Sequence, residues 1–253
     1  MAVYAMTGGA TGIGAAIREQ LCDAGHRVVS VDLRDADICA DLSDYNGRQR
    51  AIDGIRQLCP EGIDGFIPCA GVGPSVKPPS LIARINYFAA VAVTEGVLDL
   101  LEARGGRVVM IASNSAPMVP LNDYVELLLD GEEEGACELA DSRDTHSAYA
   151  GSKHAICCWL RRRSGELARR GIRINAVAPG IVQTPLSEKV LADAELGQAR
   201  RTLCAFLPLG CIFAPKQIAD VVSFLLGPGA DYMTGAIIFV DGGHDAMLRP
   251  DGF

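Results

Sequence analysis

Short apolar runs alternate with longer stretches of helical periodicity along most of the 253 residues. Apolar runs of this length, bounded by glycine, proline or polar turns, are typical of buried strands. We predict seven strands: Val3–Met6, Arg27–Val31, Ile38–Ala40, Gly65–Cys69, Arg107–Ile111, Ile172–Val177 and Ala236–Val240. Helices are predicted between them, over about 12–24, 47–59, 81–103, 149–170, within 186–206 and over 215–226. This alternation predicts a single α/β domain: a doubly wound, mainly parallel seven-stranded sheet with helices on both faces.

The composition narrows the class of protein without changing this architecture. Hydrophobic residues make up 49% of the chain, which suits one sizeable core, but no apolar run reaches the roughly 20 residues that span a membrane. The first residues lead directly into a glycine-rich loop, so we expect no signal peptide. The nine cysteines show neither disulfide nor zinc spacing, and we therefore expect reduced thiols, no metal site and a cytoplasmic location.

The formal net charge of −8 is concentrated in one segment. Between Pro117 and Thr145 there are nine acidic residues and one basic residue, so the rest of the chain is neutral. An acidic chain that lacks a basic stripe argues against nucleic acid as a partner. Apolar anchors at Tyr124–Leu129 and Cys137–Leu139 predict helices within this acidic segment, and we expect it near the entrance of the site because it follows a strand end. The alternative is a solvated surface elaboration that does not contact substrate.

A glycine-rich loop connects the first predicted strand to the first predicted helix. Gly8, Gly12 and Gly14 belong to the run Thr7-Gly-Gly-Ala-Thr-Gly-Ile-Gly14. Because glycines have no side chain, they allow a tight turn and bring backbone N–H groups close to a pyrophosphate at the helix N-terminus. The context of strand, loop and helix predicts a dinucleotide site; the alternative is an ordinary glycine-rich turn.

Asp32 ends the second predicted strand, about 20 residues after the glycine loop. A carboxylate at that position hydrogen-bonds the adenosine ribose hydroxyls and repels a 2′-phosphate, which favours NAD(H) over NADP(H). Arg34 is the nearby base that could instead accommodate a phosphate, and Asp32 could also be a simple turn residue. We therefore predict NAD(H) as the cofactor.

Tyr149 and Lys153 lie four residues apart in a predicted helix, so their side chains share one face. A tyrosine of ordinary acidity is a poor proton-transfer catalyst at neutral pH. A lysine charge at about 5 Å favours a phenolate by roughly 3 kcal/mol when the effective dielectric constant is about 20. The pair predicts proton transfer to or from an alcohol oxygen, and together with the dinucleotide site it predicts a dehydrogenase.

Over almost its whole length the sequence resembles the short-chain dehydrogenase/reductase family. The resemblance rests on the glycine loop, on the residues that match the family's catalytic tetrad and on Pro179-Gly180 with a following threonine. The tetrad residues are Asn86, Ser113, Tyr149 and Lys153. The family implies a Rossmann-like fold, NAD(H) and a small alcohol or ketone substrate. The implied cofactor contacts are Thr7, Gly8, Thr11, Gly12, Ile13, Gly14, Asp32, Leu33, Asp41, Leu42, Cys69, Ala70, Gly71, Tyr149, Lys153, Pro179, Gly180, Val182 and Thr184.

The same resemblance implies a role for each member of the tetrad. Tyr149 exchanges a proton with the substrate, Ser113 hydrogen-bonds the reacting oxygen, and Lys153 binds the nicotinamide ribose. Asn86 holds a water that links Lys153 to bulk solvent. Ser115 is an alternative to Ser113, because it lies only two residues further along the same strand end.

Within the family, Asn86-Tyr-Phe88 and the tail from Asp241 to Pro250 resemble the bacterial hydroxysteroid dehydrogenases/carbonyl reductases. This resemblance implies a 3α-hydroxysteroid or another alicyclic carbonyl compound as substrate. The alternatives are a reductase of small or acyl-carrier-linked ketones and a non-catalytic NAD-binding sensor. Apolar residues within 184–213 could form a substrate lid or ordinary core.

Since the acidic segment could obstruct a tetramer interface common in the family, we expect a homo-oligomer that is a dimer rather than a tetramer.

Overall fold

The computed structural model describes residues 1–183, 207, 209 and 213–252. It contains seven strands, β1 (Val3–Thr7), β2 (Arg27–Asp32), β3 (Ile38–Cys39), β4 (Gly65–Pro68), β5 (Arg107–Ile111), β6 (Arg173–Pro179) and β7 (Ile237–Val240). They form one sheet in the order β3-β2-β1-β4-β5-β6-β7, and every pairing is parallel. The predicted seven-stranded Rossmann-like sheet is confirmed. The strand order reverses between β1 and β4, where parallel α/β sheets open a crevice at the carboxyl ends of their strands.

Helices occupy the connections and lie on both faces of the sheet. They are α1 (Gly12–Asp23), α2 (Tyr45–Leu58), α3 (Ser80–Ile82), a π-helical segment (Ala83–Ala89), α4 (Ala90–Gly96), α5 (Leu98–Glu102), α6 (Asp123–Asp130), α7 (Glu133–Asp141), α8 (Thr145–Arg169), α9 (Pro215–Leu226) and α10 (His244–Leu248). None of these helices combines the length and the apolar character needed to cross a membrane. The helix predicted within 186–206 falls outside the described part of the chain.

The two faces of the sheet belong to two hydrophobic clusters. Tyr4 and Met6 of β1 pack with residues of α1 and α9, including Ile17 and Ile218. Ala5, between them in sequence, belongs to the cluster on the other face, which includes residues of α2, α4 and α8. This alternation follows from the two-residue period of a strand. Because both faces are buried, the strands read as nearly continuous apolar runs in the sequence.

The continuous helix predicted over 81–103 is wrong. The chain is π-helical from Ala83 to Ala89 and bends at Val97, where φ is −118°. Gly96 precedes the bend and lies so close to α2 that a Cβ there would be 2.4 Å from the Ile52 Cδ1 atom. Packing against α2 therefore accompanies the bend. The apolar periodicity of residues 81–103 does not indicate this bend.

The acidic segment folds into α6 and α7, so the helices predicted there are confirmed. The buried Tyr124 of α6 donates its hydroxyl to the Ala148 carbonyl at 3.3 Å, and a Cβ on Gly151 would lie 2.7 Å from the Tyr124 ring. At about 100° per residue, Gly151 lies about 160° from both Tyr149 and Lys153 around α8. These contacts place α6 against α8, and the expected position of the acidic segment near the entrance of the site stays a prediction.

Candidate active site

The glycine loop packs backbone to backbone against the turn that follows β4. A Cβ on Gly8 would lie 2.6 Å from the Cα atom of Ala70, and a Cβ on Gly14 would lie 1.7 Å from the Gly8 carbonyl oxygen. Gly8 also has a φ of +76°, a conformation that favours glycine. The N-cap residue Thr11 makes no side-chain capping bond, which leaves the first N–H groups of α1 available to an anion.

Two buried side chains hold the turn after β4 in place. Thr7 accepts a hydrogen bond from the Ala70 N–H at 3.1 Å. This predicted cofactor residue therefore supports the turn that lines the cleft. Asn86, in the π-helical segment, accepts from the Val72 N–H at 2.8 Å and donates to the Val72 carbonyl at 2.9 Å. The Asn86 side chain therefore fixes the turn, and its role in a water relay stays a prediction.

A cleft of about 270 Å³ follows the carboxyl ends of β1 to β5. Its lining includes most of the predicted cofactor residues: Gly8, Thr11, Gly12, Ile13, Gly14, Asp32, Leu33, Asp41, Leu42, Cys69, Ala70 and Gly71. These residues come from the ends of four different strands, so the fold gathers them although they span 64 positions of the sequence, from 8 to 71. The cleft crosses the reversal in strand order, which is the place where dinucleotides bind to such sheets.

Asp32 lies at the end of β2, at one side of the cleft. Its two carboxylate oxygens accept hydrogen bonds from the N–H groups of Ala10 at 2.9 Å and Leu33 at 2.8 Å. These bonds fix the carboxylate between the glycine loop and β2, where it can accept hydrogen bonds from ribose hydroxyls. Arg34, the base considered as an alternative phosphate contact, is exposed and does not line the described cleft.

Tyr149 and Lys153 of α8 lie toward the other end of the cleft. The buried Lys153 ammonium donates to the carbonyl of Ile111, a cleft-lining residue, at 2.8 Å. The Lys153 Nζ atom is 5.9 Å from the centroid of the Tyr149 ring, so its positive charge favours the ionised phenol. A Cβ on Gly71 would lie 3.9 Å from Lys153 Nζ and 3.3 Å from Asn86 Oδ1. Three members of the predicted tetrad therefore meet beside the turn after β4.

The burial of Lys153 perturbs its charge. Desolvation lowers the pKa of Lys153 from 10.5 to about 8, although interactions with Cys69 and Cys157 act in the opposite direction. Burial also raises the pKa of the Cys69 thiol to about 12. A thiol that stays protonated is a poor nucleophile at neutral pH. Cys69 is therefore a small neutral part of the wall, and Lys153 is the charged group beside Tyr149.

Ser113 follows β5 and is buried. Its Oγ atom accepts hydrogen bonds from the Ser115 N–H at 3.2 Å and from the Ser115 hydroxyl at 3.0 Å. A hydroxyl that accepts two hydrogen bonds can still donate its own hydrogen to a reacting oxygen. Ser115 uses its hydrogen on Ser113 instead. This geometry favours Ser113 as the residue that contacts substrate, with Ser115 as its support.

The C-terminal segment closes the region beyond β5. Asn114 donates its N–H to the Pro179 carbonyl at 3.0 Å, and its side-chain amide lies 2.8 Å from Nδ1 of the buried His244. A Cβ on Gly180 would lie 2.8 Å from the Cα atom of Asp241. The Pro179-Gly180 segment is thus held between the end of β5 and helix α10, although it does not line the described cleft.

Two further cofactor predictions concern the chain after β6. Val182 forms an isolated parallel bridge with Phe213 and does not line the described cleft. Thr184 and most of the lid segment predicted over 184–213 are outside the residues that the structure describes. The roles proposed for Thr184 and for the lid stay predictions.

Comparisons with known proteins agree with this geometry. The short chain dehydrogenase model matches residues 2–124, and the enoyl-(acyl carrier protein) reductase model matches residues 139–245. The 3-alpha-hydroxysteroid dehydrogenase/carbonyl reductase of Comamonas testosteroni is 37% identical over 100% of both chains. The chain belongs to the short-chain dehydrogenase family. As a member of that family it is an oxidoreductase that acts on CH–OH groups.

The similarity extends to solved structures and to further members of the family. The crystal structure of the 3-alpha-hydroxysteroid dehydrogenase from Pseudomonas sp. B-0831, complexed with NADH, has a TM-score of 0.93 and 41% identity, and the match covers 99% of this chain and 100% of that one. The coniferyl-alcohol dehydrogenase of Pseudomonas sp. (strain HR199 / DSM 7063) is 32% identical over 94% of both chains. The two family models leave out 125–138, which lies within the acidic segment.

Sequence reasoning missed four residues that line the cleft: Ala40, Val72, Ile85 and Ile111. Ala40 and Ile111 lie at strand ends, and the rule that ligands bind at the carboxyl ends of parallel strands could have found them. Val72 directly follows the family's Ala-Gly turn. Ile85 faces the cleft from the π-helical segment, and nothing in the sequence pattern indicates that segment.

The two serines make a matched pair of substitutions for this short-chain dehydrogenase. We expect Ser113→Ala to lower kcat by about 100-fold to 1000-fold, because a donor to the charged reacting oxygen is lost. Ser115→Ala should lower kcat by less than about tenfold, because Ser113 keeps its own hydrogen to donate. Steady-state rates with a secondary alcohol would measure both. A larger loss in Ser115→Ala would reverse the assignment.

The lowered pKa of Lys153 predicts a pH-dependent stability. The folded-state pKa of about 8 lies below the unfolded value of 10.5, so the unfolded chain binds more protons between these pH values. The free energy of unfolding of the parent should therefore rise relative to Lys153→Met over this window, by up to about 3 kcal/mol. Urea unfolding of both proteins from pH 7 to pH 11 measures the difference. Two curves that stay parallel across the window would contradict it.

Proposed function

We propose that this protein transfers a hydride between NAD(H) and a secondary alcohol or its ketone, with a 3α-hydroxysteroid or another alicyclic carbonyl compound as substrate. The observation that carries the proposal is the position of the Lys153 ammonium. It is buried, bonded to Ile111 in the wall of the cleft and 5.9 Å from the ring centroid of Tyr149. A phenol beside a buried cation and a dinucleotide cleft is suited to proton exchange with an alcohol.

The wall of the cleft supports NAD(H) as the cofactor. The glycine loop leaves room only for backbone near Gly8 and Gly14, which suits a pyrophosphate that approaches N–H groups closely. The carboxylate of Asp32 is held in place by two N–H groups, where it accepts from ribose hydroxyls and repels a 2′-phosphate. The relative from Pseudomonas sp. B-0831 was crystallised with NADH.

The chain's own residues transfer the proton of the substrate hydroxyl. NAD(H), held along the cleft by the glycine loop and Asp32, would supply the hydride chemistry when bound. Tyr149 as phenolate takes the hydroxyl proton during oxidation and gives it back during reduction. Ser113 donates a hydrogen bond to the reacting oxygen and stabilises the negative charge that develops there. The positive charge of Lys153 stabilises the phenolate form of Tyr149.

The substrate class is taken from the relatives and from the intact catalytic residues. The Comamonas testosteroni relative is a 3-alpha-hydroxysteroid dehydrogenase/carbonyl reductase, and the Pseudomonas sp. B-0831 relative is a 3-alpha-hydroxysteroid dehydrogenase. We extend that class to this protein. Acyl-carrier-linked ketones stay the alternative. The model that matches 139–245 is named for a substrate linked to an acyl carrier, although an enoyl reductase acts on a carbon–carbon double bond. A non-catalytic sensor would not need Ser113, Tyr149 and Lys153 together.

We also propose that the protein is a homodimer in the cytoplasm. Helices α6 and α7 pack on α8 and on the π-helical segment, and a tetramer common in the family uses the helices that carry its Asn and Tyr. β7 is an edge strand of the described sheet and its residues are half-buried. Helix α9, which packs on α1, β5 and β6, exposes Phe224. The seven described cysteines are free thiols, which suits a reducing compartment.

The dimer proposal is tested by two substitutions with matched exposure. Phe224 on α9 is 48% exposed, and Leu121, just before α6, is 49% exposed. We expect Phe224→Asp to convert the dimer into a monomer, because a charge enters the apolar contact. Leu121→Asp should leave the dimer intact. Sedimentation velocity gives the mass of each species. A parent that sediments as a tetramer, or a dimer broken by Leu121→Asp, would refute the arrangement.

The activity is tested by steady-state turnover with 3-hydroxysteroids, simple alicyclic ketones and β-ketoacyl thioesters. We expect the highest kcat/KM with the steroids, and tighter binding of NADH than of NADPH in fluorescence titrations. Tyr149→Phe should lose at least about 100-fold in kcat and keep its affinity for NADH, because only the proton donor is removed. Tyr45→Phe is the control, since Tyr45 is 70% exposed. Preferred turnover of thioesters would contradict the substrate class, and full activity of Tyr149→Phe would contradict the chemistry.

A further inference from the structure

Arg48 of α2 is a buried arginine whose contacts lie directly behind the cofactor cleft. It is 5% exposed. Its Nε atom donates to the Leu42 carbonyl at 2.9 Å, and its Nη2 atom donates to the carbonyls of Ser43 at 3.4 Å and Arg84 at 3.2 Å. One guanidinium group thus binds three backbone carbonyls from two segments that are far apart in the sequence.

Both segments contribute residues to the wall of the cleft. Leu42 itself lines the cleft, after β3. Arg84 precedes Ile85, which lines the cleft from the π-helical segment. The strand order puts β3 and β2 at the edge of the sheet, whereas Lys153 contacts β5 on the other side of the order reversal. This end therefore holds the adenosine half of a dinucleotide that extends from Asp32 toward Tyr149.

The charge of Arg48 is balanced from the acidic segment. Glu133 of α7 accepts two hydrogen bonds from it, at 2.7 Å to Nη1 and 2.8 Å to Nη2, and also accepts from Arg84 at 3.1 Å. Bidentate pairing of this kind fixes the orientation of a guanidinium as well as its position. Without Glu133, the buried cation would lose its counter-charge, and an uncompensated buried charge is strongly unfavourable.

We propose that the acidic segment positions the adenine end of the cofactor cleft. Glu133 orients Arg48, and Arg48 sets the spacing between the walls that carry Leu42 and Ile85. Both charged residues are positioning residues, since they act through these walls. The inference rests on the proposed use of NAD(H). It assigns the segment a role in cofactor affinity, at a distance from the reacting atoms.

The test compares Glu133→Gln with Glu134→Gln. Glu134 is the next residue of α7, and its side chain is 80% exposed and pairs with Arg84 alone among the described residues. Binding is measured by fluorescence titration with NADH and by calorimetry with ADP-ribose, which carries the adenine end and lacks the nicotinamide. We expect Glu133→Gln to raise the dissociation constants of both ligands at least fivefold, with kcat at saturating NADH within twofold of the parent. Glu134→Gln should stay within twofold in every measurement.

A second variant separates positioning from general stability. Arg48→Met combined with Glu133→Leu removes both charges together, and a well-packed apolar pair can replace a buried ion pair without loss of stability. The double variant cannot bind the carbonyls of Leu42 and Arg84. We expect its melting temperature to match or exceed that of Glu133→Gln, while its dissociation constant for ADP-ribose stays at least fivefold above that of the parent.

Two results would overturn the proposal. Parent-like affinity for ADP-ribose in either Glu133→Gln or the folded double variant would show that the pair only stabilises the fold. An equal loss in Glu134→Gln would show a general charge effect. A parent protein that binds neither NADH nor ADP-ribose would instead refute the cofactor assignment, and the inference would fail with it. The affinity of the parent therefore distinguishes the two failures.

Discussion

The close contact between the glycine loop and the turn after β4 is the constraint on which the site depends. Any side chain at Gly8 would collide with the backbone of Ala70. The contact joins β1 to β4, the two strands between which the order of the sheet reverses. A cleft opens there because the connections on the two sides of the reversal leave the sheet in different directions. Asp32 lies on one side of this contact and Lys153 on the other. One half of a dinucleotide would therefore lie near a carboxylate and the other half near an ammonium group.

The burial of Lys153 disfavours its charged form in the folded protein and also places that charge close to Tyr149. An ammonium group removed from water disfavours its charged form, which lowers the pKa of Lys153 to about 8. The Ile111 carbonyl accepts from it and compensates in part. The same burial excludes the water that would screen the charge from Tyr149, and electrostatic effects are strongest in such surroundings.

The acidic segment is a structural part of the molecule rather than a solvated run of charge. Glu133 pairs with Arg48 and Arg84, and Asp141 accepts a hydrogen bond from the Ser80 N–H. Much of the charge that makes the protein acidic thus neutralises arginines or caps backbone groups. The helices it forms pack on α8 and on the π-helical segment.

The sequence by itself determined most of the succession of strands and helices along the chain, the dinucleotide loop and the candidate residues for proton transfer. Each of these depends on local information: an apolar period, a run of glycines, or two side chains four residues apart. Only the tertiary structure decided the bend at Val97 and the face of α8 that the acidic segment covers. It also decided the pairing of Arg48 with Glu133, which are 85 residues apart. Such contacts are set by how whole elements pack, and no local pattern in the chain specifies which distant partner a side chain will meet.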